Sequence, residues 1–97
     1  MAQVVYSARS LDHIGRAFQF LRDKNPTAAL NAVTAIQSAV DNLRAHPFVG
    51  RRIEGELREL TISYGQSGYV ALYRFVATRD EVRVLAIRHQ RELGFQP

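Results

Sequence analysis

Tyr69-Val70-Ala71-Leu72-Tyr73-Arg74-Phe75-Val76-Ala77, then Thr78-Arg79-Asp80, then Glu81-Val82-Arg83-Val84-Leu85-Ala86-Ile87, is the stretch whose reading decides the fold. Two runs rich in β-branched and aromatic residues, joined by a short polar turn, read as an antiparallel hairpin. At period 2 the first run divides into Tyr69, Ala71, Tyr73 and Phe75 on one face and Val70, Leu72, Arg74 and Val76 on the other. The second divides into Val82, Val84, Ala86 and Arg88 against Arg83, Leu85, Ile87 and His89. Both faces are largely apolar, which marks central strands. One face is expected to pack on helices. The other needs a cover or stays partly exposed as an interface. The hairpin empties into Arg88-His89-Gln90-Arg91-Glu92, a cluster suited to an anionic or polar partner.

Working outward, Leu57 to Tyr64 alternates apolar and polar and predicts a half-buried strand, followed by a turn at Gly65-Gln66-Ser67-Gly68. Upstream, Asn25 is a good helix cap and Pro26 suits the first helical position. Ala29, Val33, Ile36, Val40 and Leu43 then mark one face of a long helix, with a small-residue row at Ala28, Ala32, Ala35 and Ala39. His46-Pro47 closes it, because the residue before proline resists helical geometry. Phe48 to Arg52 and Glu54 to Glu56 read as loop. Ser7 is positioned to cap an earlier helix whose inward face is expected at Leu11, Ile14, Phe18 and Leu21. Val4, Val5 and Tyr6 predict a short strand before it. The expected fold is α+β in the order β-α-α-β-β-β: a helical hairpin packed on a mainly antiparallel sheet, as one domain over residues 1–97.

Composition narrows the function classes. The chain has 97 residues, 46% hydrophobic, with no cysteine and a formal charge of +4. Thiolate metal sites and disulfides are excluded. No stretch reads as a secretory signal or approaches the roughly 20 apolar residues of a membrane helix, so a cytoplasmic protein without membrane contact is expected. Lys24 is the lone lysine beside twelve arginines. Arginine's planar fork suits phosphate and carboxylate partners.

His13, His46 and His89 fall on different elements without carboxylates at ligand spacing, so neither metal nor cofactor is expected. Gly65 and Gly68 flank a turn between strands, not a phosphate-cradling junction. No serine sits in a nucleophile-elbow context. The basic set remains: Arg51, Arg52, Arg58, Arg74, Arg88, His89 and Arg91. Arg74 stands out, since a charge amid Leu72, Tyr73, Phe75 and Val76 is costly unless paired, solvated or aimed at a partner.

Taken in order, several motifs resemble one family. They are Tyr6-Ser7-Ala8, Asn25-Pro26, His46-Pro47-Phe48-Val49-Gly50-Arg51, Leu57-Arg58-Glu59-Leu60, Gly68-Tyr69-Val70-Ala71-Leu72-Tyr73-Arg74-Phe75 and Val82 to Glu92. Across nearly the whole length the chain resembles the RelE/ParE superfamily of bacterial type II toxins. The resemblance implies a small α/β toxin neutralised by a cognate antitoxin. It also implies one of two actions, since RelE-like members cleave mRNA on the ribosome and ParE-like members are associated with inhibition of DNA gyrase.

RelE-like toxins typically carry an arginine directly after the Gly-Tyr of the strand; here that residue is Val70. They carry lysines on the preceding strand; here Leu60-Thr61-Ile62-Ser63 has none. Arg91 matches a basic residue near the end, and Phe95 stands where a tail tyrosine is expected. The resemblance therefore favours a ParE-like toxin acting by binding. An antitoxin would dock on Val70, Leu72, Arg74 and Arg58, and Arg88, His89 and Arg91 would form a target-binding basic cluster. The alternative is a ribosome-dependent endoribonuclease using Arg74, His89 and Arg91. A family member without toxicity, kept as a binding module, is a third reading.

Overall fold

The computed structural model describes residues 1–64 and 67–97. Of the expected turn Gly65-Gln66-Ser67-Gly68, Gly65 and Gln66 lie outside them, while Ser67 and Gly68 are not turn but the first residues of a strand paired with Tyr64 and Ser63. Five strands and two helices follow the order β1 (Gln3–Tyr6), α1 (Ala8–Arg22), α2 (Pro26–Asp41), β2 (Arg51–Glu54), β3 (Leu57–Tyr64), β4 (Ser67–Val76) and β5 (Glu81–His89). They form one sheet in the order β1-β5-β4-β3-β2. β1 pairs parallel to β5 and the other neighbours are antiparallel. The two helices pack on one side of this mixed sheet, which is the expected α+β architecture with one strand more than the sequence reading contained.

The helix starts follow local chemistry. Ser7 caps α1 by accepting the Ser10 amide, and Asn25 caps α2 by accepting the Ala28 amide, with Pro26 at the first helical position. α2 gives way to a single tighter turn at Asn42–Arg44 just before His46-Pro47. Ala29, Ala32, Ile36, Val40 and Leu43 are buried along α2 and the turn that follows it. Of these, Ala32, Ile36, Val40 and Leu43 meet Ile62, Tyr69, Ala71, Tyr73, Val82, Val84 and Ile87 from the sheet.

Three local expectations are corrected. First, Arg51–Glu54 is a strand, not a loop. All four residues are exposed, so no alternating burial marks it, and it forms the sheet edge beside β3 with an irregularity between Arg52 and Glu54. Second, the inward face of α1 is rotated. Leu11 is 55% exposed, whereas Ser10 and His13 are buried, with Ile14, Ala17 and Leu21 continuing the stripe. The cause is the sheet edge. β1 stops at Tyr6, opposite Val84, and leaves the rest of β5 with open backbone groups. α1 lies there and supplies polar partners: Ser7 Oγ donates to the Leu85 carbonyl and His13 Nδ1 accepts the Ile87 amide. Third, the parity of β5 changes partway. A bulge where Leu72 and Tyr73 pair with Ala86 and Val84 leaves Leu85 without an opposite residue. Val82 and Val84 before it, and Ile87 and His89 after it, therefore share the helix-facing side. Arg83, Ala86 and Arg88 face away.

Candidate functional site

The side of the sheet away from the helices carries the expected binding residues. Residues directly opposite in register project from the same face. Val70 pairs with Arg88 and Thr61, Leu72 with Ala86 and Glu59, and Arg74 with Arg83. Val5 of β1, opposite Arg83, extends the row to the far edge. Leu72, Arg74, Arg83 and Arg88 are half-buried here, while Ala86 is fully buried and Val70 is 7% exposed. Val70 is thus a floor residue, and Leu72 and Arg74 are the parts that a partner reaches.

The cations on this face differ in what holds them. Arg83 is tied to Glu81 on its own strand. Arg88 Nη1 donates to the carbonyls of His89, Gln90 and Glu92, and its guanidinium lies 5.2 Å from the Phe95 ring centre. Arg88 therefore fastens the segment after β5 onto the sheet. Arg74 makes no ion pair among the described residues. Of the three roles weighed for it, a structural ion pair is removed. Its neighbour in register is Arg83, whose charge is met by Glu81, so Arg74 is a half-buried cation of this face that an acidic partner can reach.

Arg58 does not belong to this face. It pairs in register with Tyr73, which points into the core. Its Nη1 donates to the carbonyls of Phe48 at 3.0 Å and Gly50 at 2.9 Å, and its guanidinium lies 5.1 Å from the Phe48 ring centre. Phe48 in turn meets Phe75 edge-on at 5.3 Å. Arg58 thus pins the segment before β2 along a groove that Arg52 and Thr78 also line.

His89 is likewise separated from Arg74. Its ring stands edge-on to Tyr69, centre to centre 5.4 Å, on the helix side, and its Nδ1 accepts the Arg91 amide. Arg74 is five residues along β4 from Tyr69 and on the opposite face, roughly 17 Å away along the strand. Arg91 is exposed just beyond the sheet. Arg74, His89 and Arg91 therefore do not converge on one point. The basic end group divides too, with Arg88 and His89 on opposite faces of β5.

One residue of the apolar stripe Tyr69, Ala71, Tyr73 and Phe75 also holds a loop by hydrogen bonds. Tyr73 is fully buried; its hydroxyl donates to the Pro47 carbonyl at 2.8 Å and accepts the Gly50 amide at 2.9 Å. Burial raises its pKa above the usual 10.0, partly opposed by the Gly50 hydrogen bond and by Arg58. Gly50 is required there, since a Cβ would stand 2.6 Å from the Tyr73 hydroxyl and 2.9 Å from the Glu59 carbonyl. The Pro-Phe-Val-Gly-Arg stretch was a visible signal, but its partner across the sheet was not.

Known proteins share both the sequence and this architecture. Two toxins of Caulobacter vibrioides are similar to the chain. Toxin RelE3 is 34% identical over 92 residues, covering 95% of this chain and 98% of the relative. Toxin RelE1 is 33% identical over 86 residues, covering 89% and 90%. Among solved structures, a chain of the chromosomal ParDE system from P. aeruginosa superposes with a TM-score of 0.75 at 22% identity, covering 92% of this chain and 96% of that one. A chain of the intact E. coli RelBE toxin-antitoxin complex gives 0.64 at 12% identity, covering 95% and 100%. At those identities the structures establish the fold. The family model for the ParE toxin of the type II toxin-antitoxin system parDE matches residues 4–94, and with that match the chain belongs to the ParE/RelE family of type II toxin-antitoxin toxins.

Proposed function

We propose that this toxin acts by binding its target rather than by cutting RNA, with DNA gyrase as that target and a cognate antitoxin as its neutralising partner in the cytoplasm. The observation that carries the reading is the separation of chemical groups across the sheet. Cleaving RNA requires cations at the scissile phosphate and a proton-transfer group beside them. On the helix-free face Arg83 and Arg88 are engaged, Val70 and Thr61 sit where further cations would be wanted, and His89 is on the other side. Arg74 with Leu72 instead makes a basic and apolar contact surface.

An acidic antitoxin segment that folds onto Leu72 and Arg74 gains from burial and from charge complementarity together. Arg58 is left out of that contact, because its guanidinium is committed to the Phe48 and Gly50 carbonyls. The experiment is a supercoiling assay with purified toxin and gyrase. Inhibition that scales with toxin and is relieved by antitoxin is the expected result, and unaltered supercoiling at high excess refutes the target.

The names of the two Caulobacter relatives favour a second reading, ribosome-dependent mRNA cleavage. Primer extension in a translation extract decides it: toxin-dependent cuts support cleavage and remove the binding mechanism. Normal growth on induction without antitoxin would overturn both in favour of a binding module.

A further inference from the structure

The segment 47–53 is pinned from the core side and yet turns its apolar side chains outward. Phe48 is 62% exposed, Val49 65% and Ile53 40%. Single exposed apolar residues need no explanation, but three in so short a stretch make a patch. The backbone beneath them is held at several points. The Tyr73 hydroxyl accepts the Gly50 amide and donates to the Pro47 carbonyl. Arg58 Nη1 donates to the Phe48 and Gly50 carbonyls. Phe48 stands edge-on to Phe75, with the Arg58 guanidinium over its ring. A loose loop loses conformational freedom when it binds. A pinned one has lost it on folding, so its outward side chains dock at a lower entropic cost.

Beside this patch lies a groove of about 490 Å³, equal to roughly sixteen waters at about 30 Å³ each and wide enough for a large side chain. Phe48, Phe75, Val76 and Ala77 give it apolar wall. Arg52 and Arg58 bring two guanidiniums to it against one carboxylate, Glu56. None of these three is in an ion pair among the described residues. Arg52 is exposed and donates to the Gly55 carbonyl through Nε, so its terminal nitrogens can take a carboxylate from outside. The groove is therefore cationic over an apolar wall. Aromatic rings beside arginine are what the cores of protein interfaces are built from. Val49 and Ile53 add aliphatic surface, which suits a protein and gives a phosphate backbone nothing to bind.

We propose that the patch at Phe48, Val49 and Ile53, with its groove, is where this toxin seats its target: an acidic protein surface that inserts an apolar side chain between Phe48 and Val76 and sets a carboxylate against Arg52. This docking site presupposes a toxin that acts by binding. It also accounts for neutralisation. Val76 lies two residues along β4 from Arg74, on the same face, and it lines the groove as well. An antitoxin seated on Leu72 and Arg74 therefore reaches the rim of the groove and excludes the target by overlap there.

The test compares the full chain with a variant carrying Val49→Ser, Arg52→Glu and Ile53→Ser. All three side chains are exposed, so the melting midpoint should stay within about 5 °C of the parent. Capture of the cognate antitoxin should be unchanged within about twofold, since none of the three lies in the Leu72–Arg74 row. Inhibition of gyrase supercoiling should need at least about tenfold more of the variant, and its induction without antitoxin should no longer arrest growth. If gyrase is inhibited equally by parent and variant, the docking site is refuted and the gyrase target stands. If gyrase ignores the parent while the variant alone has lost toxicity, the docking site stands and gyrase is not the target. A variant as toxic as the parent, or a parent that does not arrest growth, overturns the site. So does a folded variant that loses antitoxin capture, which assigns the patch to the antitoxin. A parent that sediments as a dimer beside a monomeric variant assigns it to a second copy and overturns it too. Should the triple variant fail to fold, Val49→Ser alone is scored by the same outcomes.

Discussion

Tyr73→Phe removes one oxygen from the centre of the sheet and keeps the ring. The aromatic packing survives, so the cost is set by the two groups that lose their partner. Gly50 is buried and its amide donates to the Tyr73 hydroxyl. Leaving such an amide unmatched costs about 1–3 kcal/mol. The Pro47 carbonyl belongs to a half-buried residue that water reaches more easily, so its loss adds roughly 0.5–1 kcal/mol. The expected destabilisation is thus about 1.5–4 kcal/mol. In a domain of this length each kcal/mol moves the melting midpoint by about 4–8 °C, so the midpoint should fall by roughly 6–30 °C. Urea unfolding should show a lower midpoint with an unchanged slope, since the surface exposed on unfolding is the same. Hydrogen exchange of the Gly50 amide should accelerate beyond the global change, because the segment from Pro47 to Gly50 is what the hydroxyl holds. A melting midpoint within about 3 °C of the parent would refute the reasoning, since it would mean that both groups find partners without the tyrosine.

Burial raises the pKa of Tyr73, and also of Tyr6, where desolvation is reinforced by Asp41. Both folded values lie above the unfolded value near 10.0, so the neutral form is favoured in the fold. Their contribution is fully present below pH 10 and is lost as pH rises through the folded values; alkaline denaturation curves should show this, with a shallower loss in Tyr73→Phe. Gly50→Ala should cost about 1–3 kcal/mol in chemical denaturation, because a Cβ there meets the Glu59 backbone, whereas Gly15→Ala on α1 meets nothing within 4 Å and should stabilise by about 0.5–1 kcal/mol. Ser7→Ala removes both the α1 cap and the bond to the Leu85 carbonyl, and a loss of about 1–2 kcal/mol is expected in the same assay. Arg74→Glu should weaken antitoxin capture at low salt far more than Arg58→Gln does, as read by co-purification; equal effects would contradict the division of the two residues between faces.

Local chemistry in the sequence was enough for much of this protein. Ser7, Asn25 and Pro26 announce two helix starts because capping is a contact between near neighbours. The period-2 runs in β3, β4 and β5 announce strands because alternation is a property of the extended chain. The ordered motifs along the chain led to the family that the match over residues 4–94 establishes. The tertiary structure decided what depends on pairing. β2 was hidden because an exposed edge strand needs no apolar alternation, only an open neighbour to bond with. The burial of His13 was hidden because it follows from β1 stopping at Tyr6 and leaving the Ile87 amide without a strand partner. The faces of Arg88 and His89 were hidden because a bulge at Leu85 exchanges every later side chain between the two sides of β5. A bulge is a mismatch between two strands, so its position is a property of the pair and cannot be read from either strand alone.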